Sequence, residues 1–90
     1  MIIKCGGIEL FLAKTRISIL NPLGNEISIP YSELKRIEYC LYDLGVGGGY
    51  IFFSQKNGKT AKFEFNLKNN KQIQRGVELI GEKFPEIEIQ

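Results

Sequence analysis

The 90-residue chain has no histidine, no tryptophan, two cysteines and three prolines. Each shortage closes a class of function. Without histidine, no side chain has an ordinary pKa suited to general-base work near neutral pH. The acids do not compensate: Glu33, Glu38, Asp43 and Glu64 are scattered one per predicted element. Catalysis is therefore not expected, and no cofactor is implied. Cys5 and Cys40 make no disulfide framework. Lacking histidine or a third cysteine, they also fall short of a zinc site. They read as buried thiols of a protein in a reducing cytoplasm. No window reaches the roughly 18 apolar residues of a membrane span. Met1-Ile2-Ile3-Lys4-Cys5 is too short and too interrupted for a signal peptide. Twelve basic and ten acidic residues leave a net charge of +2, too little to imply nucleic acid, and none is expected as a partner.

What the chain does hold is ordinary globular material, 43% hydrophobic and 24% charged, enough for one domain over residues 1–90. Ile8, Leu10 and Leu12 alternate with Glu9 and Phe11, the period of a strand. Ile17 and Ile19 alternate with Arg16 and Ser18. Asn21-Pro22-Leu23-Gly24-Asn25 is a turn, because proline fixes φ and Gly24 or Asn25 tolerates positive φ. Ile27 and Ile29 form the next strand, which Pro30 ends for want of an N–H. Residues 31–34 read as one helical turn. Residues 35–42 form a fourth strand with Ile37, Tyr39 and Leu41 on one face. A glycine-rich loop follows at 43–49, then strands at 50–55 and 60–65.

The last hairpin turns at Lys56-Asn57-Gly58-Lys59, and two registers compete. A two-residue turn pairs Phe52 with Phe63. A bulged three-residue turn with left-handed Gly58 pairs Ile51 with Phe63 and Phe53 with Ala61. The choice decides which aromatics are core, since a one-residue slip turns every side chain to the other face. The bulged turn is preferred. It leaves Tyr50 and Phe52 outward beside Lys62 and Glu64.

A helix is predicted over residues 70–84. Asn69 can cap it, with Gln72 completing a capping box. Ile73, Val77, Ile80 and Phe84 form its apolar stripe. Gly76 and Gly81 permit close approach to a sheet, and Pro85 stops the helix. The alternating tail Glu86-Ile87-Glu88-Ile89-Gln90 can add a short edge strand or stay loose.

Gly7-Ile8-Glu9-Leu10, Arg16-Ile17-Ser18-Ile19, Ile29-Pro30-Tyr31-Ser32-Glu33-Leu34 and Gly49-Tyr50-Ile51-Phe52-Phe53 resemble the bacterial pleckstrin-homology-like (PH-like) pattern. There, a first hairpin leads to an I-P-x-x-x-[IL] segment and a G-x-I-x-F strand. The resemblance is to the small domain of unknown function found beside short C-terminal (SHOCT) domains. It implies an α+β, mainly β fold: a bent barrel of six to seven antiparallel strands, one end plugged by a C-terminal helix. It also implies non-catalytic use, either in binding peptides, proteins or lipids or in self-assembly. It supplies no catalytic residues.

Several constellations remain. Gly58-Lys59-Thr60 is no phosphate loop, because Phe53 stands where the earlier glycine is needed and a strand follows. Gly45-Val46-Gly47-Gly48-Gly49 can form a backbone nest for an anion or peptide, or simply a flexible turn. Tyr50, Phe52, Phe11 and Leu20 are apolar at outward positions. The first expectation is thus an interaction module that self-associates or binds protein segments through Tyr50, Phe52, Gly47, Gly48 and Phe11. The alternative is peripheral contact with an anionic lipid surface through Lys14, Arg16, Lys35 and Arg36. Between residues 56 and 75, six basic residues face one acid, Glu64, which suits an acidic partner or a solvated face.

Overall fold

A computed structural model describes residues 1–45 and 47–90. The described residues form eight strands, one α-helix and two single 3₁₀ turns. In chain order the strands are β1 (Ile2–Cys5), β2 (Ile8–Leu12), β3 (Arg16–Leu20), β4 (Glu26–Pro30), β5 (Leu34–Cys40), β6 (Gly49–Gln55), β7 (Thr60–Phe65) and β8 (Glu88–Ile89), with α1 (Asn70–Lys83) before β8. They make two four-stranded sheets, ordered β1-β2-β3-β4 and β7-β6-β5-β8.

The two sheets do not close on each other as the bent barrel would suggest: among the described residues no hydrogen-bonded ladder joins them. Two local causes are visible. Pro30 lacks an N–H, and the 3₁₀ turn Tyr31–Glu33 swings the chain away from sheet 1 before β5 begins. At the other side, β1 comes close to β7. There the Lys4 carbonyl accepts a hydrogen bond from the Asn69 side chain at 3.2 Å, where a barrel would need a strand partner. The strand count also exceeds the expected six or seven. Ile2–Cys5 is a strand antiparallel to β2, turned by Gly6 and Gly7, both at positive φ.

The hairpin register is the bulged one. Ile51 faces Phe63 and Phe53 faces Ala61, and Gly58 stands at φ +89°. All four paired side chains are buried. β7 alternates strictly, with Ala61, Phe63 and Phe65 inward and Lys62 and Glu64 outward. Such alternation is what a sheet with one dry face requires.

The core lies between the inner faces of the two sheets and α1. Ile3, Leu10, Ile17 and Ile29 come from sheet 1, Ile37, Ile51, Phe53 and Phe63 from sheet 2, and Ile73, Val77 and Ile80 from the helix. Phe84 stands at the helix end, half-buried, and stacks on Tyr31 with ring centroids 4.5 Å apart. The predicted cap is shifted. Asn69 makes no side-chain bond to the N-terminus of α1. It instead accepts from the Asn66 N–H at 3.4 Å, inside a 3₁₀ turn that precedes the helix. The tail does add an edge strand, parallel to β5, pairing Ile37 with Ile89.

Candidate functional site

A groove of about 420 Å³ lies between α1 and the end of β2. Its floor arises from a glycine. Gly76 is buried on the sheet-facing side of α1, and the Leu12 side chain occupies the space where a Cβ at Gly76 would lie. The helix therefore rides close to β2 on one side of Leu12, leaving a slot beyond it. Met1, Leu12, Tyr31, Leu79, Ile80 and Phe84 line the slot. Leu79 is 40% exposed and Met1 44%, so the apolar wall is open to solvent. The Tyr31–Phe84 stack closes one end. The Tyr31 hydroxyl donates to the Ala13 carbonyl at 2.8 Å, fixing the ring. Burial raises the Tyr31 phenol pKa above its usual value, because the phenolate would be poorly solvated there. Lys14, Glu82 and Lys83 stand at the rim.

The expected site residues do not form one surface. Tyr50 and Phe52 do point outward from sheet 2, half-buried. Their neighbours are polar or charged: Tyr50 lies between Cys40 and Glu64, and Phe52 between Glu38 and Lys62. The Lys62 ammonium sits 5.4 Å from the Tyr50 ring centre and 3.8 Å from Glu64. Phe11 and Leu20 are on sheet 1 instead. They line a shallow hollow of about 310 Å³ with Ala13, Arg16, Ser18 and Glu26.

Within the glycine-rich loop, two described N–H groups turn to Asp43. Asp43 accepts the Gly45 N–H with a side-chain oxygen at 2.8 Å and the Gly47 N–H with its carbonyl. Gly47 and Gly48 both take positive φ. Val46 lies outside the described residues. An anion at the loop would compete with the Asp43 carboxylate for the Gly45 N–H. The loop is anchored at its start, where Asn70 brackets Tyr42: the Tyr42 N–H donates to Asn70 Oδ1 and Asn70 Nδ2 to the Tyr42 carbonyl, both at 2.9 Å.

The four cations of the lipid reading sit on separate surfaces. Lys14 is at the groove rim. Arg16 lies over sheet 1 and donates to Ser28 Oγ at 3.3 Å. Arg36 lies on sheet 2, its Nε 2.9 Å from a Glu38 oxygen. That N–H direction misses the oxygen, so the contact is electrostatic, without hydrogen-bond geometry. Lys35 is exposed at a register shift between Leu34 and Arg36. The six basic residues between 56 and 75 are all exposed, along the hairpin, the second 3₁₀ turn and α1. Two of them pair with acids, Lys62 with Glu64 and Arg75 with Glu78. Among the described residues no group of histidine, cysteine, aspartate or glutamate could hold a metal. No described helix is long and apolar enough to cross a membrane.

Sequence reasoning missed the groove, though a signal exists. Leu79 is apolar but lies off the stripe of Ile73, Val77, Ile80 and Phe84. It sits three residues after a mid-helix glycine, so a thinned helix face carries a spare apolar side chain. Comparison with family models, curated proteins and solved structures found no match to this chain.

Proposed function

We propose that this chain is a non-enzymatic interaction module, PH-like in architecture, that holds an apolar segment of a partner polypeptide in the α1–β2 groove. Open, preformed, predominantly apolar lining is the observation that carries it: Leu79 and Met1 remain exposed beside fixed aromatic walls. Volumes of this order suit a few apolar side chains. A small molecule would need convergent polar groups to orient it, and the Tyr31 hydroxyl is already committed to Ala13. Lys14 and Lys83 against Glu82 favour a segment with an acidic residue beside its apolar ones. Support for the PH-like architecture is the chain order: antiparallel meanders in two sheets, then one helix over their inner faces. A second reading, self-association through the outer face of β6, is supported by the outward aromatics Tyr50 and Phe52.

Selection from a random peptide library displayed on phage tests the groove. Enriched peptides should combine two or more apolar residues with an acid. Withdrawing the Leu79 contact removes about 1.5–3 kcal/mol of burial. Leu79→Glu should therefore weaken the selected peptides at least about tenfold, with the circular dichroism spectrum unchanged. Peptides that bind Leu79→Glu as well as wild type would refute the assignment.

A further inference from the structure

We infer that β4 is a dimerisation edge, and that its occupant is β4 of a second copy, paired antiparallel about Ile27. None of residues 26–28 lines the groove, and this surface does not depend on it.

β4 ends sheet 1. Its ladder to β3 fixes which backbone groups point outward. The Asn21 N–H bonds the Asn25 carbonyl at 3.0 Å, and the Tyr31 N–H bonds the Thr15 carbonyl at 3.1 Å. Hydrogen-bonded pairs alternate along an antiparallel ladder. Between those two ends the bonded pairs are thus Ile19 with Ile27 and Ile17 with Ile29. The N–H and C=O groups of Glu26 and Ser28 therefore face away from β3. Among the described residues, no backbone bond outside that ladder reaches residues 26–28.

The other edges are protected in the usual ways. β7 carries Lys62 and lies near β1, and β8 is two residues long. β4 has no lysine and no bulge; Glu26 and Pro30 guard only its two ends, and Ile27 between them is 48% exposed.

The edge is complementary to itself. Antiparallel pairing about Ile27 puts Glu26 opposite Ser28 of the second copy, and Ser28 opposite its Glu26. Each of these four residues uses its free N–H and C=O, closing the ladder around the two-fold axis. The two Ile27 side chains meet at that axis. Directly opposed residues share a face, so Glu26 of one copy comes beside the Ser28 hydroxyl of the other. Arg16 already holds that hydroxyl at 3.3 Å, and its guanidinium meets the incoming carboxylate. The ladder cannot run further. Pro30 has no N–H, and the Gly24 N–H is spent on the Asn21 carbonyl at 3.0 Å. An isologous contact stopped at both ends closes as a dimer and does not build a fibre.

Light scattering after size exclusion, over a concentration series, tests this with the intact chain. Wild type should reach twice the chain mass. Ser28→Pro removes an N–H that β3 does not use, and proline is tolerated on such an edge. It should remain monomeric with an unchanged spectrum. Glu26→Arg and Arg16→Glu should each weaken the dimer, and the two together should restore it. On raising wild-type concentration, amide exchange should slow at Glu26 and Ser28, with no change at Ile27 and Ile29. Leu79→Glu should leave the mass unchanged, which separates this surface from the groove. A wild-type monomer at millimolar concentration overturns the inference. So does a Ser28→Pro dimer, including one that Phe52→Glu then breaks, since that result assigns assembly to β6.

Discussion

Gly49 makes the most demanding stability test in the molecule. It opens β6 directly opposite Phe65, and its φ lies outside the left-handed region. Alanine there should relieve the backbone: glycine inside a strand costs about 0.5–1 kcal/mol relative to alanine. The structure predicts the opposite net sign. An added Cβ would lie 2.7 and 2.9 Å from two carbons of the Phe65 ring and 3.0 Å from the Tyr42 nitrogen. Neither neighbour retreats easily. Phe65 is 4% exposed, and the Tyr42 nitrogen is held by Asn70 at 2.9 Å. Overpacking of this kind costs about 1–3 kcal/mol. Less the backbone gain, Gly49→Ala should lose roughly 0.5–2 kcal/mol. For a domain this size that lowers the melting temperature by roughly 2–16 °C. Thermal and urea unfolding followed by circular dichroism measure it. Combining Gly49→Ala with Phe65→Leu should show favourable coupling, because the smaller side chain makes room. Gly48→Ala, at a positive φ in open space, should show no coupling to Phe65. A Gly49→Ala protein as stable as wild type would refute the steric account.

Two further outcomes follow from buried polar groups. Asn70→Ala leaves both Tyr42 backbone groups without their partner, which should cost about 1–3 kcal/mol and speed exchange of the Tyr42 amide. Asn70→Asp should not rescue stability, because a carboxylate accepts from the N–H but repels the carbonyl. Tyr31 should ionise above the ordinary tyrosine value in an absorbance titration at alkaline pH. Since its folded pKa is raised, the unfolded chain loses this proton first as pH rises. Its stabilising contribution is intact below the ordinary tyrosine pKa of about 10 and declines as pH climbs through the folded value. Ionisation of Tyr31 at the ordinary tyrosine value would contradict the burial.

Strand period located β2 to β7, and the Asn57-Gly58 turn with its flanking aromatics made the β6–β7 register decidable, because only one slip buries Ile51 and Phe53 together. β1 was legible in principle. Gly6-Gly7 is a two-residue hairpin signal, but Lys4 and the short apolar run before it hid the alternation. The barrel was misread because closure depends on what meets Lys4 across space. A side chain 65 residues away fills that place, and nothing near Lys4 in sequence announces it. The candidate surface was legible only in part. Outward position singled out Tyr50, Phe52 and Phe11, yet alternation cannot tell which sheet a residue belongs to, and Phe11 belongs to the other one. The groove exists only because Gly76 faces Leu12, a pairing of elements distant along the chain.

The placement of Asn69 and Asn70 has a kinetic consequence. Every antiparallel pair joins neighbours in sequence: β1 to β4 form one meander and β5 to β7 another. Each can zip locally, with short loops and little chain entropy to lose at each step. The costly closures come together at the start of α1. There Asn69 reaches Lys4 across 65 residues and Asn70 reaches Tyr42 across 28. Adjacent amides therefore tie the helix to both meanders at once, so that its docking and the later β5–β8 pairing carry the entropic toll of long-range contact.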